Sequence, residues 1–249
     1  MKRFTAYSLF VIIQTGMVWG QSSSLRYPGE FTDGADKFQF VRIKFESRNI
    51  PAFSIMNFFA SGIQPWAHDY PDAEINMYEM LEENTPIRTT GEPLVLTFDD
   101  DAIFNYPVLY ICEIGYWYLK EEQAVRLGEY IDRGGFIIVD DFRTRNEMFN
   151  FRQQMRKAIK GYTEKRLRPS DPIFNCYFEF TSLPVQSPYS RRFGRPEFWG
   201  WFDKNDRLAL IVNYNNDIGD GWELEDQNTN RQLTSFKLGI NYFIYSMTH

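Results

Sequence analysis

The chain has 249 residues and carries 27 Lys and Arg against 33 Asp and Glu, a net charge of −6. That balance argues against nucleic acid or an anionic membrane as a partner, because a phosphate-binding surface is normally net basic. Its 2 cysteines offer no metal-binding Cys spacing, and the length suits one α/β domain with a full core.

The first two dozen residues have the layout of an export signal. Lys2 and Arg3 precede an apolar stretch from Phe4 to Trp19, followed by small and polar residues from Gly20 to Ser24. Thr5, Ser8, Gln14 and Thr15 interrupt the apolar stretch, which falls short of the ~20 residues a spanning helix needs. The expectation is cleavage near Gly20, removing residues 1–20, and a periplasmic or secreted protein with no stable membrane insertion. An uncleaved N-terminal anchor is the competing reading. Loss of Lys2 and Arg3 takes the net charge from −6 to −8.

A single α/β domain is expected over 36–249. Phe38 to Phe45 is apolar-rich and reads as its first strand. Pro71 suits a first helical turn, where its missing N–H costs nothing, and a helix reaching residue 84 would turn Ile75, Tyr78 and Leu81 inward. Pro93 to Phe98 reads as a short strand, and the Asp99, Asp100 and Asp101 after it as a solvated turn. Pro107 to Glu113 and Gly135 to Asp141 are continuously apolar until each ends in acid. Between them Ala124, Leu127 and Ile131 share one helical face, and Gly134-Gly135 supplies the left-handed exit a helix end prefers. Apolar runs joined by a helix predict a parallel β-α-β unit buried on both faces.

Met148, Phe151, Met155 and Ile159 predict the next helix, which stops at Gly161. Arg152, Arg156, Lys157, Lys160, Lys165, Arg166 and Arg168 read as its solvated face and exit loop. Residues 162–205 are Pro-rich, aromatic and without clear period, and read as an irregular insertion. Arg207 to Asn213 then reads as a core strand. Leu233, Phe236, Ile240, Phe243, Ile244 and Met247 form the inward stripe of a final helix. Cys112 lies inside a core strand and Cys176 in a distant loop, so a disulfide between them is not expected.

Ligands of parallel α/β sheets sit beyond the carboxyl ends of the strands. Glu113, Asp140 and Asp141 fall there, together with the loop from Asp217 through Asp220 to Trp222 and Glu223. Trp66 and Tyr70 flank Asp69 and could wall a cleft, with Glu74 one helical turn further. Hard cations take oxygen ligands, so Asp69, Glu113, Asp140 and Asp217 are the candidate ligands of a divalent cation, although the 217–223 loop lacks the spacing of a known calcium loop. No other cofactor is implied. The plain alternative for each acid is helix capping, because strand ends feeding helices are where caps occur.

Five separate stretches then carry a resemblance: Trp66-x-x-Asp-Tyr-Pro-x-Ala-Glu74, Phe104-x-Tyr-Pro-x-Leu-Tyr110, Gly134-Gly-Phe-x-x-x-Asp-Asp-Phe142, Asp217-x-Gly-Asp-x-Trp-Glu223 and Leu238-Gly-Ile-Asn-Tyr-x-x-Tyr-x-Met-Thr-His249. Together they resemble the bacterial family called domain of unknown function 4159. The resemblance implies a three-layer α/β sandwich with a mostly parallel central sheet, flavodoxin-like and related to class I glutamine amidotransferases, and implies no biochemical role. Amidotransferases need a Cys nucleophile on the turn after a core strand, with a His to activate it. Here that turn holds Asp140 and Asp141, and the only histidines are His68 and His249. The expected function is therefore binding of a ligand, a small molecule or an envelope protein, at an acidic cleft without glutamine hydrolysis. A metal-assisted hydrolase acting at the same carboxylates on an envelope glycan or peptide is the alternative, and a structural role in a periplasmic assembly the third reading.

Overall fold

The computed structural model describes residues 37–48, 50, 64–183, 194–223 and 229–249, which fall in a single compact unit. The expected export segment, residues 1–20, lies outside them. Four helices, α1 (Asp72–Asn84), α2 (Glu121–Asp132), α3 (Arg145–Ala158) and α4 (Thr229–Thr248), cover a central sheet. No helix among the described residues is long and apolar enough to cross a membrane.

Seven strands make that sheet: β1 (Val41–Ile43), β3 (Leu94–Leu96), β4 (Val108–Cys112), β6 (Phe136–Phe142), β7 (Thr163–Arg166), β8 (Glu197–Phe202) and β9 (Leu208–Tyr214). They run in the order β3-β1-β4-β6-β9-β8-β7, and a separate ribbon pairs β2 (Glu46–Ser47) with β5 (Trp117–Tyr118). The first five are parallel and the last two antiparallel. Among the parallel strands alone the order is second, first, third, fourth, fifth, that of a flavodoxin-like doubly wound sheet. Its switch point lies between β1 and β4, where chain connections leave in opposite directions, the place at which sheets of this kind bind ligands.

Every residue of β4 and β6 is buried, as a strand covered on both faces requires. Alternation sends Leu109, Ile111, Ile137 and Val139 to a core with Leu127 and Ile131 of α2 and Phe151 of α3. It sends Tyr110, Cys112 and Ile138 to a second core with Met77 and Leu81 of α1 and Phe236 and Ile240 of α4. The result is the expected three-layer sandwich with a mostly parallel sheet.

Some local expectations shift. The first strand is shorter than residues 38–45, with Phe38 pairing only as an isolated bridge to Thr89. In α1 the buried stripe is Ala73, Glu74, Met77, Tyr78 and Leu81, at helical spacing, while Ile75 is exposed. Leu233 and Met247 at the two ends of α4 are likewise exposed. The irregular insertion expected at 162–205 is corrected: it supplies β7 and β8, the antiparallel edge of the sheet. Its polar Thr-Glu-Lys-Arg strand carries no apolar signature, as suits an edge that must not pair further. Cys112 and Cys176 are both free.

Candidate acidic site at the switch point

Four parallel strands deliver charge to one rim. Beyond β1 the chain returns through a short helical turn, Pro65–Ala67, to His68 and Asp69 and then enters α1. Beyond β4 stands Glu113, β6 ends through Asp140 and Asp141 into Arg143, and β9 leads into Asp217, Gly219 and Asp220. The edge strand β3 ends elsewhere: Asp100 accepts from Thr97, Asp99 from Gln123 and Asp101 pairs with Arg126. The Asp99–Asp101 run is thus a surface turn, as expected.

The backbone is bent to bring these groups in. Asp69, Glu113 and Asp141 have φ of 64°, 50° and 50°, a left-handed region that non-glycine residues rarely adopt. Between the Val139–Val212 and Phe142–Tyr214 pairs, β6 has one residue more than β9, a bulge at Asp140 and Asp141. Bulges re-aim side chains, and strained residues gathered at one place point to function.

Asp140 faces α1 and α4. Its Oδ2 accepts from the Tyr110 hydroxyl at 3.1 Å and from the backbone N–H groups of Ile218 and Gly219 at 3.1 and 2.8 Å. Burial, with the charge of Asp141, lifts its carboxyl to about 7 against those donors. Glycine is required at 219: a methyl group there would stand 2.7 Å from Tyr110 Oη and 3.0 Å from Asp69 Oδ2.

Asp141 is the opposite case. Burial alone would raise it, but the Arg143 guanidinium and His68 hold it down to about 2. Arg143 contacts Asp141 Oδ1 and reaches Asp217 at 3.1 Å and Glu113 at 3.4 Å. His68 Nδ1 lies 3.1 Å from Asp141 Oδ2 and 3.4 Å from Asp69 Oδ1. Burial would lower that imidazole, yet its hydrogen bond to Asp141 and the surrounding acids raise it to about 10. Glu113 and Asp217 are pushed well up, by burial first and by Asp141 next.

Asp69 differs from all of these. Its side chain is 1% exposed, and neither carboxylate oxygen has a hydrogen-bond partner. Burial pushes it up to about 8, His68 opposing and Asp141 and Glu223 adding to the shift. Asp220 is half-buried, donates its N–H to Asp217 and pairs with Arg231 at 2.7 Å. Two groups of three donors lie within 4.8 Å of one another: His68, Glu113 and Asp141, and Asp69, Asp220 and Glu223.

The sequence candidates are therefore placed as follows. Asp69, Glu113, Asp140, Asp141, Asp217 and Asp220 gather at one rim, and Trp66 and Tyr70 stand beside it with ring centroids 6.2 Å apart. Of the expected metal quartet Asp69, Glu113, Asp140 and Asp217, Asp140 accepts from backbone donors, Asp217 pairs with Arg143, and Asp69 groups closely with Asp220 and Glu223. Glu74 and Trp222 are not cleft residues. Glu74 is fully buried in an ion pair with Arg42, and Trp222 is fully buried against Phe40 and Tyr110. Sequence reasoning passed over Arg42 and Arg143. A charge set between Val41 and Ile43 in the apolar stretch 38–45 and a base directly after Asp-Asp-Phe were the available signals.

Arg42 closes the floor of the crevice. Beyond Glu74, its Nη1 donates to the carbonyl oxygens of Trp66 and His68 at 3.2 and 2.6 Å and meets Cys112 Sγ at 2.9 Å, so it ties β1, β4 and the 65–69 turn together. Burial raises the Cys112 thiol well above its ordinary value, Arg42 opposing, so the sulfur stays protonated.

Residues 59–247 match the family described as Domain of unknown function (DUF4159), and the chain belongs to that family. No curated protein matches it.

Proposed function

We propose that this domain binds a positively charged ligand, a small molecule or a basic segment of an envelope protein, in the acidic crevice at the switch point, and that it does not hydrolyse glutamine. One observation carries the reading: Asp69 keeps both carboxylate oxygens buried and without a hydrogen bond in a cluster already rich in acid. Among the described residues, ion pairs to Asp69, Glu113, Asp140, Asp141 and Asp217 come from His68 and Arg143 alone. Burying Asp69 with only the His68 imidazole beside Oδ1, and with Oδ2 unpartnered, carries a desolvation cost. A bound cation offsets that cost. The basic start and apolar run of the first twenty residues support export, so that the ligand would be met in the periplasm or outside the cell.

Against glutamine hydrolysis stands the thiol itself. Cys112 is fully buried and protonated, its sulfur facing Arg42 and the carbonyl oxygens of Pro65, Trp66 and His68. A metal-assisted hydrolase is the second reading, favoured by the close donors of His68, Glu113 and Asp141. An ion there would have to displace the Arg143 guanidinium from two of the three.

The test is thermal unfolding of the full chain, after chelation, with spermidine and with arginine amide at millimolar concentration, and with citrate as an anionic control. A cation should stabilise the native chain and leave Asp69→Asn unmoved. Stabilisation by citrate alone would end the proposal.

A further inference from the structure

We infer that Asp69, Asp220 and Glu223 form a binding site for a calcium ion, an assignment that rests on the cationic-ligand reading above and names the cation. The three acids come from two loops distant in sequence, the turn before α1 and the loop after β9. Their donor oxygens lie within 4.8 Å of one another. Calcium accepts irregular sets of carboxylate oxygens supplied by loops, whereas magnesium demands near-ideal octahedral geometry and keeps most of its waters. All three donors are carboxylate oxygens, the ligands of a hard cation, with no sulfur or imidazole among them.

Acids gathered at a loop are not by themselves a site. The independent observation is Asp69, whose side chain is 1% exposed with both oxygens lacking a hydrogen bond, and whose carboxylate is one of the three close donors. The His68 imidazole lies 3.4 Å from Oδ1, and Oδ2 has neither an ion pair nor a hydrogen bond among the described residues. Its φ of 64° means that the backbone is also held in an uncommon conformation to present it. Gly219 leaves the approach to Asp69 Oδ2 open, since a methyl group would sit 3.0 Å from that oxygen.

The surroundings favour an ion over another side chain. Arg231 donates to Asp220 Oδ2 at 2.7 Å, which orients that carboxylate. The three carboxylates stand beside the Arg231 guanidinium and the His68 imidazole, and a divalent ion would offset the negative charge that remains. Asp220 and Glu223 are half-buried, so water can reach the ion and complete its coordination. With three protein ligands the affinity belongs at the weak end of calcium sites, a Kd of about 10⁻⁴–10⁻³ M. The group of His68, Glu113 and Asp141 is the poorer candidate, because Arg143 already contacts two of its members.

The deciding experiment is isothermal titration of the chelated full chain with calcium chloride and with magnesium chloride, alongside thermal unfolding with each salt. Asp69→Asn and Glu223→Gln are the site variants, and Glu121→Gln, an exposed acid on α2, is the control. Asn tolerates a positive φ, so Asp69→Asn should fold. Calcium should raise the melting temperature of the native chain and of Glu121→Gln by about 5 °C, with at least about a tenfold weaker Kd in both site variants. No heat and no shift with calcium, an equal response in Asp69→Asn, or a stronger response to magnesium would each overturn the assignment. Silence with calcium but stabilisation by spermidine through Asp69 would overturn the metal and leave the cationic-ligand reading standing; silence with both would remove both.

Discussion

Against α2 and α3 the sheet presents Val41, Ile43, Leu109, Ile111, Ile137 and Val139, while against α1 and α4 it presents Phe40, Arg42, Tyr110, Cys112, Ile138 and Asp140. The first face meets helices through apolar surface alone, and its buried polar side chains Gln123, Glu147 and Gln154 lie on the helices, at caps and loops. The second face carries charge through its middle: Arg42 pairs with Glu74, Asp140 takes Tyr110 and two backbone N–H groups, and Tyr242 donates to Asn213. Both faces are equally buried. The difference shows that the polar groups of the second face are tolerated because each is matched by a partner, and that Asp69, at the rim of the same face, has only the His68 imidazole beside Oδ1 and no hydrogen bond.

The largest test of that contrast is Glu74→Ala. It strands the Arg42 guanidinium in the interior and should cost about 3–5 kcal/mol in urea unfolding. On the other face Leu127→Ala removes only apolar contact and should cost about 2–4 kcal/mol. The double change Arg42→Met with Glu74→Leu should recover most of the first loss, as replaced buried pairs often do. A Glu74→Ala cost below about 1 kcal/mol would mean that the pair is not isolated from water, and the contrast between faces would fail.

Acidity probes the same contrast more gently. With chelator present, stability should fall as pH rises from about 5 to 8. Asp69 sits at about 8 and Asp140 at about 7 in the folded chain, against roughly 3.9 when unfolded. The folded chain therefore holds protons that the unfolded chain has released. The stability this gives is complete below about pH 4 and lost as pH climbs through the folded values. His68, raised to about 10, has the same sign above its unfolded value near 6.5. Asp141, held at about 2, acts in reverse: its stabilisation is complete above about pH 4 and is lost only as pH falls through 2. Melting temperatures from pH 4.5 to 8.5 should decline by about 5 °C or more, and a flat or rising profile would contradict the assignment of uncompensated acid to this face.

The smallest expected effect lies on the apolar side. Thr144 caps α3, accepting from the Glu147 N–H at 3.2 Å, while Glu147 Oε2 accepts in return from the Thr144 N–H at 3.2 Å. Thr144→Ala should cost about 1 kcal/mol without altering ligand binding. A loss of binding in that variant would tie α3 to the crevice more tightly than the contacts of Arg143 imply.

Much of this arrangement was written in local pattern. Apolar runs ending in Glu113 and in Asp140-Asp141, joined by one helix, determined a parallel unit and the rim at which it ends, because continuous burial on both faces requires that pattern and chain direction follows from the crossover. The inward stripes of α2 and α3 followed from helical spacing in the same way. The edge strand β7 had no such signature, since an edge needs no apolar alternation, and β8 beside it was hidden in an aromatic, Pro-rich stretch without clear period. What tertiary structure alone decided is the pairing of the acids. A bulge in β6 and three left-handed residues set where each carboxylate points, and contacts between residues far apart in sequence gave Asp140 its backbone donors while leaving Asp69 without a hydrogen bond. Residue types write the charge at the rim; three-dimensional proximity determines which of those charges is compensated.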